Sequence, residues 1–217
     1  MGVNGMKILA LSDEVVDFIY DTSVKERFGD VDLVLGCGDL PFYYLEFVVT
    51  ILNKPLFFVP GNHDAPSQYL SDGRIVRSAE GCMNLDGRAI NEGGLLLAGL
   101  GGSIRYRPDG AHQHTQNEMK GRVTSLTPSL WLNRLRYGRY LDILLAHSPP
   151  FGIHDGGDTA HIGFKVFLDF IKVFQPRFLL HGHSHVYRPT EVTRTQLGRT
   201  EILNVYPYRV VEWETSQ

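Results

Sequence analysis

DLVLGCGDLPFYYLEFVVTILNKPLFFVPGNHD, residues 32–64, decides the fold. It opens with a short apolar run, Asp32 to Gly36, which reads as a buried strand ended by glycine and aspartate. Tyr43 to Leu52 follows with a helical pattern. Pro55 to Val59 is a second apolar run, ended by Pro60-Gly61. Strand–helix alternation of this kind predicts parallel strands joined by crossover helices. In open α/β sheets, ligands bind outside the carboxyl ends of the strands. Here those ends carry Gly38-Asp39 and Gly61-Asn62-His63-Asp64.

The pattern continues outward in both directions. Lys7 to Leu11 reads as a strand with Asp13 just beyond it, followed by a helix over Glu14 to Tyr20 and a short one over Ser23 to Phe28. Cys82 to Asn84, Arg88 to Ile90 and Leu95 to Leu100 read as short strands, split by Asp86-Gly87 and Gly93-Gly94. Asp-Gly is a hairpin signal. Gly101 to His114 is a polar loop. Gln116 to Tyr137 is helical, with Pro128 expected to start a new helix. Asp142 to Ala146 is a strand leading into His147, and Phe164 to Phe174 is a helix. Phe178 to Leu180 is a strand leading into His181 and Gly182-His183-Ser184-His185. Thr200 to Val205 and Tyr208 to Trp213 close the chain as antiparallel strands. An exposed edge there could pair with another chain, or its Arg and Glu residues could block pairing. With no repeat, low-complexity segment or linker, residues 1–217 are expected to form a single domain.

Composition sets the outer bounds. The chain has 217 residues, 43% hydrophobic and 21% charged, which suits one globular core. A net charge of −3 argues against long nucleic acid as a partner. Two cysteines, Cys37 and Cys82, are too few for a disulfide framework. The sequence shows no secretory leader and no apolar stretch long enough to span a membrane. The cytoplasm is therefore the expected location. The sequence leaves the oligomeric state open.

Five strand ends thus carry Asp, Asn or His. Turns explain Asp and Asn, but not His147, His183 and His185. Asp13, Gly38-Asp39, Gly61-Asn62-His63-Asp64, His147-Ser148-Pro149-Pro150 and Gly182-His183-Ser184-His185, in this order, resemble the calcineurin-like metallophosphoesterase superfamily. The resemblance runs from Leu11 to His185. It implies a four-layer αββα sandwich, two mixed sheets flanked by helices. It also implies a centre for two divalent metal ions (Mn, Fe, Zn or Ni). Asp39 would bridge the pair, Asp13 and His185 would complete one site, and Asn62, His147 and His183 the other. Carboxylates neutralise adjacent dications, and imidazoles suit borderline metals. Two ions about 3.5–4 Å apart can hold a bridging hydroxide and clamp an in-line displacement. His63 matches the family histidine that reaches the scissile phosphate, stabilising charge or protonating the leaving group. Asp64 would fix its tautomer. The implied activity is hydrolysis of a small phosphate ester, with phosphodiesters favoured over monoesters.

One block departs from the pattern. Val15 stands where the resemblance places a metal-binding histidine. Water could fill the gap, Glu14 could swing in, or only the second site could fill. The alternative reading is a binding module that keeps the fold with weakened catalysis. Around these blocks, Arg105 and Arg107 are candidate phosphate contacts or solvated loop residues, and His161 is a candidate substrate neighbour. His112 and His114 read as exposed loop histidines, and His154 lies in a Gly-rich loop expected near the metals. His181 reads as strand-end packing and Cys37 as a space filler. Tyr43 and Tyr44 could stack on a ring or pack on the sheet.

Overall fold

The computed structural model describes residues 5–69 and 73–213. The strands and helices are β1 Met6–Leu11, α1 Val24–Phe28, β2 Leu33–Gly36, α2 Phe42–Leu52 and β3 Leu56–Phe58. A two-strand ribbon, β4 Gln68–Tyr69 and β5 Ile75–Val76, leads to β6 Met83–Asn84. β7 Ala89–Glu92 and β8 Leu95–Leu100 come next, then the short pair β9 Ser103–Ile104 and β10 Gln113–His114, and helix α3 Gln116–Tyr137. The chain continues with β11 Ile143–Ala146, α4 Lys165–Phe174, β12 Phe178–His181, β13 Arg194–Leu197, β14 Thr200–Asn204 and β15 Tyr208–Trp213.

Two mixed sheets result. One has the order β15-β1-β2-β3-β6 and the other β13-β14-β12-β11-β8-β7. Side-chain alternation places them face to face. Ile8 and Ala10 of β1 join Leu33, Leu35, Ile143, Leu145 and Leu180 in a core between the sheets. Leu9 and Leu11 point the other way, into a second core with Val24, Leu45 and Val48 of α1 and α2. A third core packs Leu96, Leu144 and Leu179 against Met119 and Val123 of α3 and Phe167 and Phe170 of α4. These three cores define the four-layer αββα sandwich. β1, β2 and β3 run parallel in one sheet, and β8, β11 and β12 in the other, so their carboxyl ends gather the loops that matter.

Four expectations fail for identifiable reasons. Glu14 to Tyr20 forms a single turn, with Tyr20 N–H donating to Val16 O at 2.9 Å, because Asp13 bends the chain with φ 64° and Val16 and Ile19 sink into the outer core. Asp86-Gly87 is a crossing between sheets, not a hairpin: β6 pairs with β3, while β7 pairs with β8. Gly93 and Gly94, both at positive φ, make the hairpin instead. α3 runs through Pro128 unbroken. Its buried stripe, Met119, Val123, Leu126 and Leu130, continues across the proline, and that packing outweighs one missing backbone bond. The last two strands do not pair with each other. β14 lies inside its sheet between β12 and β13, while β15 forms the edge beside β1.

Candidate metal centre

The ends of β1, β2, β3, β11 and β12 converge on one small cavity of about 140 Å³, lined by Asp13, Asp39, Asn62, His63, His183 and His185 among others. Glycines make this convergence possible. A Cβ on Gly38 would stand 2.6 Å from His147 Nδ1, and one on Gly182 would overlap Ser12 and the Asp13 carboxylate. Asp13, Asp39 and His183 themselves take positive φ, which turns each side chain inward off its strand.

Four donors gather around one position. Ligand atoms of Asp39, His147 and His183 lie within 4.8 Å of one another. His147 Nε2 is 3.0 Å from Asn62 Oδ1 and 3.4 Å from Asp39 Oδ2. Ligand atoms bonded to a metal at about 2.0–2.1 Å are spaced by about 3 Å, so this set fits a divalent ion. Each donor is aimed by a second partner. His147 Nδ1 donates to Cys37 O at 2.8 Å, leaving Nε2 for the site, and His183 Nε2 bonds Ala160 O at 2.9 Å, leaving Nδ1. Asn62 Nδ2 donates to the Tyr106 hydroxyl at 3.2 Å, so its oxygen turns inward. Such outer partners are what fix imidazole ligands in metal sites.

The second group is looser. His185 Nε2 stands 3.6 Å from Asp13 Oδ1, while its Nδ1 bonds the Tyr187 hydroxyl at 2.9 Å and its ring stacks on Tyr206 at 4.6 Å. The Asp13 carboxylate is held by the His183 N–H at 3.0 Å and by Ser12. Val15 packs against the outer core. Glu14 does not fill the gap; its carboxylate accepts a 2.8 Å bond from Tyr206.

Electrostatics follow from burial and pairing. Burial would raise Asp39, but His147 outweighs it and holds the carboxyl near pKa about 2. Burial would lower His147, but Asp39 and Asp13 push it up to about 9. A divalent ion at this set would need His147 Nε2 deprotonated, so its binding would release a proton. Burial, then the charge on His147, pulls His183 down to about 4. Burial opposes ionisation of Asp13, yet His185, His147 and Ser12 keep its pKa low. His185 is raised, chiefly by its bond to Asp13.

His63 is exposed and lines the cavity. Asp64 does not serve it as expected: its Oδ2 accepts the backbone N–H of Asp39 at 2.9 Å and of Gly61 at 2.8 Å. It clamps two loops together, and burial lifts its carboxyl to about 6. Arg105 is drawn off the cavity by Glu118, at 2.8 Å, and by Gln113 O. Arg107 instead lines a polar pocket beside Asn62 and His63. His161 reaches the cavity, its ring 5.0 Å from that of His183. His112 and His114 are half-buried, not exposed. His154 bonds His181 Nε2 at 2.9 Å, away from the cavity lining. Tyr44 is buried; Tyr43 is exposed beside Tyr20. Tyr106, Tyr206 and the carbonyls of Cys37 and Ala160 escape sequence reasoning, because nothing in a lone tyrosine or a backbone oxygen marks it as an outer partner.

Comparison with known proteins agrees with this geometry. The family model described as Metallophos, calcineurin-like phosphoesterase, matches residues 6–187. No curated protein matches. One crystal structure is 16% identical and covers 98% of this chain and 100% of its own, with TM-score 0.65. The crystal structure of TT1561 of Thermus thermophilus is 18% identical, covers 93% of this chain and 89% of its own, and has TM-score 0.62. At these identities the two structures speak for the fold alone.

Proposed function

We infer that this chain, which belongs to the calcineurin-like phosphoesterase family, is a metal-dependent hydrolase of small phosphodiesters. The observation that carries the reading is the four-donor set of Asp39, Asn62, His147 and His183, with Asn62, His147 and His183 each oriented by a partner outside the site. A surface kept only for binding has no need of such preparation. Asp13 and His185 stand ready for a second cation, with solvent in the place that Val15 leaves. Divalent cations, for which manganese is the working choice, would supply Lewis acidity toward the phosphoryl group and activate water for attack.

The chain's own residues do the rest. His63, exposed at the cavity wall, donates a proton to the departing alkoxide oxygen. Arg107, in the adjoining pocket, holds the outer part of that group. Room beside His161 and His185 for a second ester group favours a diester. No described helix is long and apolar enough to cross a membrane. Cys37 and Cys82 are unpaired, which suits the cytoplasm.

The test joins elemental analysis to hydrolysis of bis-p-nitrophenyl phosphate in added manganese. Turnover with bound metal is expected; His63→Ala should retain metal and lose about 10²–10⁴-fold on a dialkyl phosphodiester, and far less on the p-nitrophenyl ester, whose leaving group needs little protonation. Absence of both metal and turnover would replace the hydrolase reading with the binding module that Val15 suggests.

A further inference from the structure

The metal cavity opens on two sides, and the two sides differ in chemistry. Asn62, His63 and Tyr106 connect it to the Arg107 pocket, of about 470 Å³, which is polar and includes Asp109 and Gln113. His161 and His185 connect it to a separate pocket of about 510 Å³. That volume lies within the range of small-molecule sites.

The second pocket is walled by Tyr187 and Val192, which are 77% and 66% exposed, with Val186 beside them. Large apolar side chains left this open next to a reaction cavity are surfaces for a ligand. The hydroxyl of Tyr187 bonds His185, which fixes the ring at the boundary between pocket and metal cavity. Glu191 adds an acceptor on the same wall.

We propose that the Tyr187–Val192 pocket binds the ester group that stays on phosphorus, and that this group is a ring-bearing alcohol of nucleoside size with hydrogen-bond donors. The proposal rests on the phosphodiester reading and gives the substrate a direction. His63 lines the Arg107 side, so the group it protonates leaves on that side. The retained group then lies opposite, across the cavity, where Tyr187 offers a ring face and Glu191 accepts its donors. Hydrolysis places water's oxygen on phosphorus and a proton on the departing alkoxide; the ring alcohol remains esterified as its phosphate.

The experiment compares methyl p-nitrophenyl phosphate with thymidine 5′-(p-nitrophenyl phosphate), both releasing p-nitrophenolate. Wild type and a Tyr187→Ala/Val192→Ala double variant are measured in saturating manganese, with metal content checked. Intrinsic reactivity of the two esters cancels when their kcat/KM ratio is compared between proteins. The thymidine-over-methyl ratio is expected to fall about tenfold or more in the double variant. Tyr187→Phe, which keeps the ring but frees His185, is expected to hold the ratio even if both rates change. An unchanged ratio in the double variant, with both esters turned over, overturns the pocket assignment alone. No turnover of either ester by wild type overturns the hydrolase reading beneath it.

Discussion

Replacing Asp64 separates a structural clamp from a partner that sets the His63 tautomer. Its Oδ2 accepts two backbone donors, from Asp39 at 2.9 Å and Gly61 at 2.8 Å, and so ties the loop after β2 to the loop after β3. Asp64→Ala leaves both donors without an acceptor. Each unsatisfied buried donor costs about 1–3 kcal/mol, so the variant is expected to lose about 2–6 kcal/mol, a large share of the stability of a domain this size. Metal affinity falls with it, since Asp39 hangs from the same bond. Asp64→Asn keeps an oxygen for both donors. Burial already lifts the carboxyl to about 6, so the neutral amide forfeits little. Its urea midpoint and metal content are expected to match the parent, and its turnover to stay within about tenfold. Loss of proton transfer would instead cost about 10²–10⁴-fold. An asparagine variant that folds, holds metal and yet loses that much would refute the clamp and restore Asp64 to a direct role beside His63.

Other expectations follow from the same geometry. His181 and His154 form a neutral pair, lowered chiefly by burial to about 3 and about 4. Between the ordinary pKa of 6.5 and those values the unfolded chain binds protons that the folded one refuses, so stability is full above pH 6.5 and declines below it. The slope is up to about 1.4 kcal/mol per pH unit from His181, with less from His154, which solvent screens; urea midpoints between pH 7 and 5 should flatten in His181→Asn. Gly61→Ala would drive a Cβ into the Asp39 carboxylate, 2.5 Å from the Asp39 backbone nitrogen. Because backbone cannot yield cheaply, a stability loss of about 1–3 kcal/mol and weakened manganese binding by calorimetry are expected. Arg107→Ala should raise KM for bis-p-nitrophenyl phosphate, whereas Arg105→Ala should leave KM alone and cost at most about 1 kcal/mol, as an exposed partner of Glu118. The opposite pattern of KM values would return Arg105 to the site.

How legible the molecule is from its sequence depends on the range of the physics involved. Strands flanked by Gly-Asp or Gly-His report themselves locally, so β1, β2, β3, β11 and β12 and the side chains beyond them could be placed from the chain alone. Pro128 could not, because the force that carries α3 through it is a stripe packed against a sheet. Asp86-Gly87 misled for a related reason: a turn dipeptide specifies a bend, while the partner of the next strand is chosen by the core. Asp64 carried the right residue type, yet its role was set by two backbone N–H groups that only the assembled loops present. Arg105 was claimed by Glu118, which also completes the N-terminal capping box of α3 with Thr115.

The balance between hydrolase and inert scaffold turns on strain as much as on ligand types. Asp13, Asp39 and His183 sit at φ 64°, 55° and 65°. Non-glycine residues held there cost about 1 kcal/mol or more each. Fixed backbone bonds hold the distortion: Asp13 N–H to Gly38 O at 3.1 Å, His63 N–H to the Asp39 carboxylate at 2.7 Å, and His183 N–H to the Asp13 carboxylate at 3.0 Å. Asp39 serves as such an anchor with Oδ1 while Oδ2 faces His147, and both oxygens of Asp13 accept the His183 N–H. A fold with no use for the cavity would do better with glycine or asparagine at these bends and an apolar filler between the sheets' ends. Val15 follows that economy at one position, where it joins the outer core. Asp13, Asp39 and His183 do not, and among the described residues at positive φ, which also include Asn53, His112, His154 and Gln175, these three alone line the cavity.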